Sequence, residues 1–594
     1  MSSLDLALIG NSQISALIDA RGRIVWSCMP RYDGDPRFCA LLAGTTPPKA
    51  GFAEVELTGL HNAQQRYRRN SAVLETELRD DRGNALRITD FAPRFKRFGR
   101  FFRPMMLVRR IEPIEGLPLI RIRVRPTYGY GHQRPELTRG SNHIRYVMPD
   151  LAVRLTTTAP VSHVIEEAAF LLDRPLTLIL GPDESFADDV AETARAFQIQ
   201  TDDYWQEWCR YLGLPFEWQD AVIRAAITLK LSSFEETGAI IAAHTTSIPE
   251  APDTERTWDY RYCWLRDSYF VVSALNALGV TRTMEEYLEY IMNIVAESQD
   301  GYLQPVYGII RERRLDETVV NPLPGYRGLG PVRIGNDAYR QVQNDAYGSV
   351  LLACAHVFYD QRLSRPGDQA LFRRLEILGE QALRRWNQPD AGLWELRSRT
   401  AVHTYSAAMC WAAIDQLARI ARHLGLRRRA TEWARRARQI RGEIIAQACA
   451  ADGGSLVASF GGDSVDASLL MLPQLGLVRA RDPLFLSTLA RIERELKRGD
   501  YLLRYAHEDD FGTPTSAFLV CSFWYINALA EVGRRREARR IFEQLLTRRN
   551  PLGLLSEDID PTTGALWGNF PQTYSMVGLI RAAMRLSKPW EKAF

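Results

Sequence analysis

The spacing of the apolar residues changes character once along this chain, near residue 190. Before that point apolar and polar residues alternate over short runs. "ISALIDARGRIVWSC" is two such runs around Arg21 and Gly22, and "AVLETELRDDRGNALRITDFAP" is two more around an Asp-Arg-Gly-Asn turn. A period of two places one face of an extended strand on a core, and a glycine-containing turn between runs closes a hairpin. "LIRIRVRPTYGY", "HIRYVMP", "LAVRLTTTAP" and "AAFLLDRPLTLILG" continue the series. Residues 1–190 are therefore expected to form a β-sandwich. From "SFADDVAETARAFQIQTDDYWQEWCRYL" onward the period is helical, which predicts a linker helix over 191–216.

Residues 217–594 read as about twelve helices in consecutive pairs, near 217–237, 267–280, 282–298, 336–361, 368–386, 403–424, 426–449, 463–473, 482–497, 516–532, 534–548 and 571–587. Paired helices without a fixed-period repeat point to an α/α barrel rather than a solenoid. The fold class expected is thus multi-domain, β followed by α.

Composition narrows the function classes. At 594 residues the chain exceeds one ordinary domain, and its 46% hydrophobic and 25% charged content is that of a globular protein. A net charge of +4 gives no footprint for nucleic acid or a membrane surface. The start "MSSLDLALIGNSQ" has no basic, apolar leader pattern, and no apolar run is long enough to span a bilayer. Eight cysteines without a CxxC pair and nine histidines without HxH or HExxH spacing lead us to expect a cytoplasmic protein with reduced cysteines, no metal and no cofactor. The oligomeric state is open.

The chemistry lies in the loops. "ERTWDYRYCWLRDSYF" alternates Trp258, Tyr260, Tyr262 and Trp264 with Asp259 and Arg261, then reaches Arg266 and Asp267 at a helix start. Aromatic faces take up the C–H faces of sugar rings, while carboxylates and guanidinium groups bind hydroxyls. The run therefore predicts an oligosaccharide or disaccharide ligand; alternatively Asp267 is only an N-cap and the aromatics are core. Tyr307, Arg327, Arg333, Asn336, Gln343 and Asp345 repeat the theme, as does Trp567. Gln343 and Asp345 are expected within one helix on different faces, so that at most one reaches a ligand.

Two acids stand apart. Glu395 in "GLWELR" sits between Trp394 and Leu396, with Arg397 beyond; Glu557 opens the acidic "SEDID". Glycoside hydrolysis by inversion needs a protonated carboxyl on the leaving oxygen and an ionised one on a water, roughly 6.5–9.5 Å apart. Desolvation by Trp394 suits Glu395 as the acid, and a polar, hydroxylated setting suits Glu557 as the base. An ion pair of Glu395 with Arg397 is the structural alternative, and Asp558 and Asp560 are rivals for the base. A lyase using His403 or Tyr405, a terpene cyclase, or a non-catalytic sugar-binding protein fits these features less well.

These segments resemble glycoside hydrolase family 15, which comprises glucoamylases, glucodextranases and prokaryotic trehalases. "LALIGNSQISALIDARGRIVWSCMPRYDGDPRFCALL" is similar to the trehalase-like N-terminal domain. "TWDYRYCWLRDSYFVVSALNALG", "GYRGLGPVRIGNDA", "QNDAYGSVL", "GLWELR", "VDASLLMLPQLGLV", "FLVCSFWYINALAE" and "GLLSEDIDPTTGALWGNFPQTYS" resemble successive family blocks, in order. The resemblance implies an (α/α)6 barrel behind the β-sandwich and an inverting, exo-acting α-glucosidase releasing β-glucose. It implies Glu395 as general acid and Glu557 as general base, with Arg266 and Asp267 on the terminal glucose and Trp264 and Trp394 nearby. Thr515, Met576 and Ser349 depart from the family blocks. The specificity expected is glucoamylase-like, with α,α-trehalase as the alternative.

Overall fold

The computed structural model describes residues 4–44, 47–298, 300–451 and 453–592. The N-terminal region is β-rich, as its alternating runs require. One antiparallel sheet follows the path Ala7–Gly10, Ser15–Ile18, Ile24–Cys28, Phe52–Leu57, Leu119–Arg125, Phe170–Leu171. A second, eight-stranded sheet runs from Glu136–Arg139 at one edge to Leu60–Tyr67 at the other. Strand Leu74–Asp80 shows the cause: Leu74, Thr76, Leu78 and Asp80 are buried, and the residues between them are not. Ile18, Val55 and Ile122 from the first sheet share one core with Leu78, Ile111 and Leu178 from the second.

A short helix α1 (Val161–Ile165) lies within this region, and α2 (Val190–Arg210) leaves it. The carboxylate of Asp189 caps α2 by accepting from Glu192 N. The helical region follows as α3 (Gln219–Leu231), α4 (Leu265–Ala277), α5 (Thr281–Glu297), α6 (Asp345–Tyr359), α7 (Gln369–Arg385), α8 (Thr404–His423) and α9 (Arg427–Ala448). It ends with α10 (Leu472–Leu475), α11 (Pro483–Leu496), α12 (Leu519–Val532), α13 (Arg535–Leu546) and α14 (Thr573–Leu586).

Helices α4, α6, α8, the 3-10 turn Ala467–Met471 leading into α10, α12 and α14 touch one another in sequence, and α14 returns to α4. The sequence separates this inner ring from the outer helices. Along α12 every residue from Leu519 to Leu529 is buried. Along α9 only Ala430, Trp433, Ala437, Ile440, Ile444 and Ala448 are buried, a stripe at spacings of three and four.

Three expected helices change shape. The first ends at Leu231, because Ser233–Phe234 and Ala239–Ile240 pair as a hairpin. The helix expected over 336–361 begins only at Asp345. The one expected over 463–473 is a 3-10 turn followed by a single turn of α10 with Pro473 in its first positions.

The two regions are joined through buried polar contacts. His244 lies between Ser15 Oγ at 2.8 Å and Ser232 Oγ at 3.1 Å. Arg94 pairs with Glu235 at 2.5 Å, and Asn550 Nδ2 donates to Leu4 O and Leu6 O, both at 2.9 Å. Gly325–Tyr326 adds as a parallel strand to Ala43–Gly44. Among the described residues no helix is long and apolar enough to cross a membrane.

Candidate active site

The aromatic run 258–264 is extended, and its alternation sorts the side chains. Trp258, Tyr260 and Trp264 line a cavity of about 90 Å³ at one end of the inner ring. Asp259 and Arg261 point the other way, fully buried, and pair with Nη2–Oδ2 at 2.7 Å. Arg261 Nη1 donates to Gly34 O at 2.9 Å and its Nη2 to Tyr130 Oη at 2.9 Å. The β-rich region thus holds the back of the segment whose front forms the site. Tyr262 also stays behind, accepting from Gly335 N at 3.2 Å.

Glu395 sits on a tight turn. Its φ is +58°, a left-handed conformation that non-glycine residues adopt at a cost. Gly392, at φ +69°, allows that turn: a Cβ there would lie 2.7 Å from His403 Nδ1. Three donors converge on Glu395 Oε1: Trp264 Nε1 at 2.6 Å, Gln343 Nε2 at 3.2 Å and Arg266 Nη2 at 3.3 Å. Oε2 accepts no hydrogen bond among the described residues, and Glu395 lines the cavity.

This setting differs from the one expected. Trp394 lines the cavity, but its Nε1 donates to Asp466 Oδ2 at 2.8 Å and its ring packs near Tyr505 and Trp524. The indole that touches Glu395 is that of Trp264. Arg397 is not an ion-pair partner of Glu395: it pairs with Glu317 at 2.6 Å and lies 4.3 Å over the Trp258 ring. Asp267 makes no N-cap bond to α4, and neither does the N-cap residue, Trp264. Burial, with Glu395 and Asp345 adding to it against the opposing Arg266, pushes the Asp267 carboxyl up to about 7. Gln343 precedes α6 instead of lying within it, so both Gln343 and Asp345 reach Arg266 Nη1, at 2.8 and 3.3 Å.

Glu557 lies in a buried, charged cluster instead of the open polar setting expected, behind Tyr260 and not itself among the cavity walls. It is 1% exposed and lies just before a short three-stranded ribbon of Ala517–Phe518, Asp558–Ile559 and Leu566–Trp567. Tyr260 Oη donates to its Oε1 at 2.7 Å and Asn569 N to its Oε2 at 3.3 Å. A Cβ on Gly568 would stand 2.8 Å from Oε2, so only glycine lets the ribbon close on this carboxylate. Oxygens of Glu250, Glu557 and Asp558 all lie within 4.8 Å of one another. Burial first, then Glu250 and Asp558, hold the Glu557 carboxyl well above the usual carboxylate range, against Arg504 and the Tyr260 hydrogen bond. The Tyr260 and Trp264 rings, 5.4 Å apart edge to face, connect the two acids, one bonded to each.

Three expected ligand-binding residues lie elsewhere. Tyr307 is in the core, where its hydroxyl accepts from Gln304 N at 3.0 Å. Arg327 is stacked between Tyr326 and Trp567, 5.2 and 5.1 Å from their ring centres, and neither it nor Trp567 is among the cavity walls. Met576 is buried in α14, and Ser349 Oγ donates to Asp345 O at 3.1 Å inside α6. Thr515 is exposed; its neighbour Ser516 donates to Asp558 Oδ1 at 2.9 Å.

Sequence reasoning missed Glu250 and Arg504. Both line the cavity, and Arg504 pairs with Glu250 through Nη2 and Oε2 while Trp258 Nε1 donates to Glu250 Oε1 at 3.0 Å. The signal was present in "SIPEAPD", an isolated acid in a proline-flanked loop, the same oddity that drew attention to Glu395.

The family model for glycosyl hydrolases family 15 matches residues 218–584. A trehalase of Thermoplasma volcanium is 32% identical over 98% of this chain and 93% of its own length. A trehalase of Mycobacterium tuberculosis is 31% identical over 99% of this chain and 90% of its own. A crystal structure of a bacterial glucoamylase complexed with acarbose superposes with a TM-score of 0.70 at 14% identity, covering 98% of this chain and 94% of that one.

Proposed function

The chain belongs to glycosyl hydrolases family 15, and from that premise we propose that it is an inverting, exo-acting α-glucosidase whose substrate is α,α-trehalose. The glucoamylase-like specificity expected from sequence is the second reading. What favours trehalose is that relatives matching both the β-rich and the helical region are trehalases. The glucoamylase likeness, at 14% identity, speaks for the fold alone. We read the ring of inner and outer helices as an (α/α)6 barrel, with the β-rich region as a sandwich docked on it. Eight free cysteines fit a reducing cytoplasm.

The observation that carries the mechanism is the pair of acids tied to adjacent rings of one aromatic segment. Glu395 gives its proton to the glycosidic oxygen as the C1–O bond breaks. A water attacks C1 from the opposite face and loses its proton to Glu557, so the released glucose is inverted at that carbon. Glu557 must be ionised to do so, and its cluster favours a retained proton. We assign that proton to Asp558, whose carboxyl burial pushes up to about 7 against the opposing Arg504. The Tyr260 phenol, held well above its usual range by burial and by Glu557, stays a donor to the base throughout. Arg266 and Asp267 at the start of α4 are placed for sugar hydroxyls, and Trp258 and Arg397 for the ring beyond the cleaved bond.

Initial rates on trehalose, maltose, isomaltose, kojibiose, nigerose and maltotriose test the specificity, and NMR of the first-formed anomer tests the stereochemistry. Faster turnover of maltotriose than of trehalose rejects the trehalose reading, and a retained anomer rejects the mechanism. With α-glucosyl fluoride, which needs no acid, Glu395→Gln retains turnover and Glu557→Gln loses it. The reverse result exchanges the two roles.

A further inference from the structure

Glu395 stands at a φ of +58°, a conformation that persists only where the surrounding structure fixes it. Trp264, Gln343 and Arg266 meet its side chain. The backbone of its turn is held by a different set of residues, centred on His403. Read from sequence as a possible lyase base, His403 is buried instead and is not among the walls of the candidate active site.

His403 is the N-cap residue of α8, and its Nδ1 lies 2.8 Å from Oδ1 of the fully buried Asp390. Its ring lies flat against Gly392: a Cβ on that glycine would stand 2.7, 2.8 and 2.9 Å from Nδ1, Cε1 and Cγ. Gly392 O in turn accepts from Glu395 N at 3.2 Å. Asp390 reaches a second segment as well. Its Oδ2 accepts from Asn344 N at 2.8 Å, and next to it Ala391 N donates to Val342 O at 2.9 Å. Between those two anchors stands Gln343, which donates to Glu395 Oε1 and accepts from Arg266. Gln341 Nε2 adds a bond of 3.1 Å to Glu395 O. One buried His–Asp pair thus lies behind both the turn that carries Glu395 and the segment that supplies one of its donors.

Burial works against a charged imidazole, yet the hydrogen bond and charge of Asp390, with Asp466 and Asp345, hold His403 above its ordinary value. His507 is the cation that this charge repels. Asp466 also accepts from Trp394 Nε1 at 2.8 Å, so the residue before Glu395 is tied to an acid that His403 attracts. Charge-assisted bonds of this kind fix geometry more firmly than neutral ones.

Taking Glu395 as the acid of the proposed reaction, we propose that His403 is a positioning residue for it: through Asp390 and Gly392, and without touching substrate, it fixes the turn that aims the proton donor at the glycosidic oxygen. A displaced proton donor costs rate and leaves ground-state binding largely intact.

The test sets kcat and KM on trehalose against turnover of α-glucosyl fluoride, which needs no acid, with thermal unfolding to check the fold. His403→Leu leaves Asp390 without its donor and should lower kcat on trehalose about tenfold or more, while KM and fluoride turnover change less than about threefold. His403→Asn keeps a donor for Asp390 but loses the ring against Gly392, and should lose several-fold on trehalose with the fluoride spared in the same way. If His403→Leu does not fold, His403→Asn decides. Equal losses on the two substrates in a folded His403 variant, or no loss on trehalose, overturn the positioning role. Glu395→Gln, assayed alongside, separates the two failures: if it spares the fluoride, the acid stands whatever His403 does, and if it loses the fluoride too, the acid assignment falls and the role of His403 with it.

Discussion

Replacing Glu250 by glutamine removes one negative charge from beside Glu557 while keeping the side chain's size. The carboxylate oxygens of the cluster lie within 4.8 Å of one another. At that separation, with an effective dielectric of ~20, two unit charges repel by about 3.5 kcal/mol. Glu250 is the largest charged contributor to the raised Glu557 carboxyl. Its loss also frees Arg504, whose Nη2 is already 3.5 Å from Asp558 Oδ1 and which then turns fully toward the remaining acids. Both effects favour ionised Glu557. A base that ionises more readily moves the acidic limb of kcat/KM to lower pH. Glu250→Gln should therefore shift that limb downward by about one pH unit or more, a displacement of over ~1.4 kcal/mol. The measurement is initial-rate kinetics on trehalose across the acidic range. The basic limb, which reports the proton donor, should stay in place. If the acidic limb is unmoved or rises, Glu250 does not act on the base, and the cluster is a structural ion pair with Arg504.

Tyr260→Phe removes the 2.7 Å donor to Glu557 Oε1 and should lower kcat/KM by roughly tenfold to a hundredfold, with the acidic limb moving to higher pH; a change in KM alone rejects the role. Trp264→Phe keeps an aromatic ring but loses the 2.6 Å bond that orients Glu395, and should lower kcat on trehalose while sparing turnover of α-glucosyl fluoride, which needs no acid; equal losses on both substrates reject the role. Asp267, pushed up to about 7, stabilises the fold only while protonated, so this contribution is lost as pH rises from its ordinary 3.8 through 7. Asp267→Asn should accordingly add at most about 4 kcal/mol of stability above neutral pH and little at acid pH, while lowering turnover; calorimetry at the two pH values checks the difference. His244, pulled down to about 3 by burial, has the opposite linkage: stability is intact above its ordinary 6.5 and declines as pH falls toward 3. Acid unfolding should thus begin at the seam it bridges, detectable as early amide exchange around Ser15 and Ser232.

Much of this protein was legible because two periods, two and 3.6, are local properties of the chain. Strand Leu74–Asp80 and helix α9 each announce their buried face in residue spacing. Glu395, Glu557 and the aromatic run were visible for a related reason: each is a local contradiction, an acid or a row of rings where simple packing does not ask for one. What escaped depended on distance along the chain. Glu250 matters because the fold brings it beside Arg504 and Glu557, more than 250 and 300 residues away, and no local pattern encodes that meeting.

The electrostatic setting of each acid was likewise decided by tertiary structure. Glu395 adjoins Trp394 in sequence, yet the turn at φ +58° hands it to Trp264, Arg266 and Gln343. Glu557 adjoins a serine and two aspartates in sequence, yet the ribbon buries it and turns Asp558 into a repelling neighbour. Sequence by itself determined which residue types are present and which face of each element they occupy, because those follow from backbone geometry over a few residues. Only the folded chain decided their protonation and partners, because desolvation and Coulomb interactions depend on distances through space.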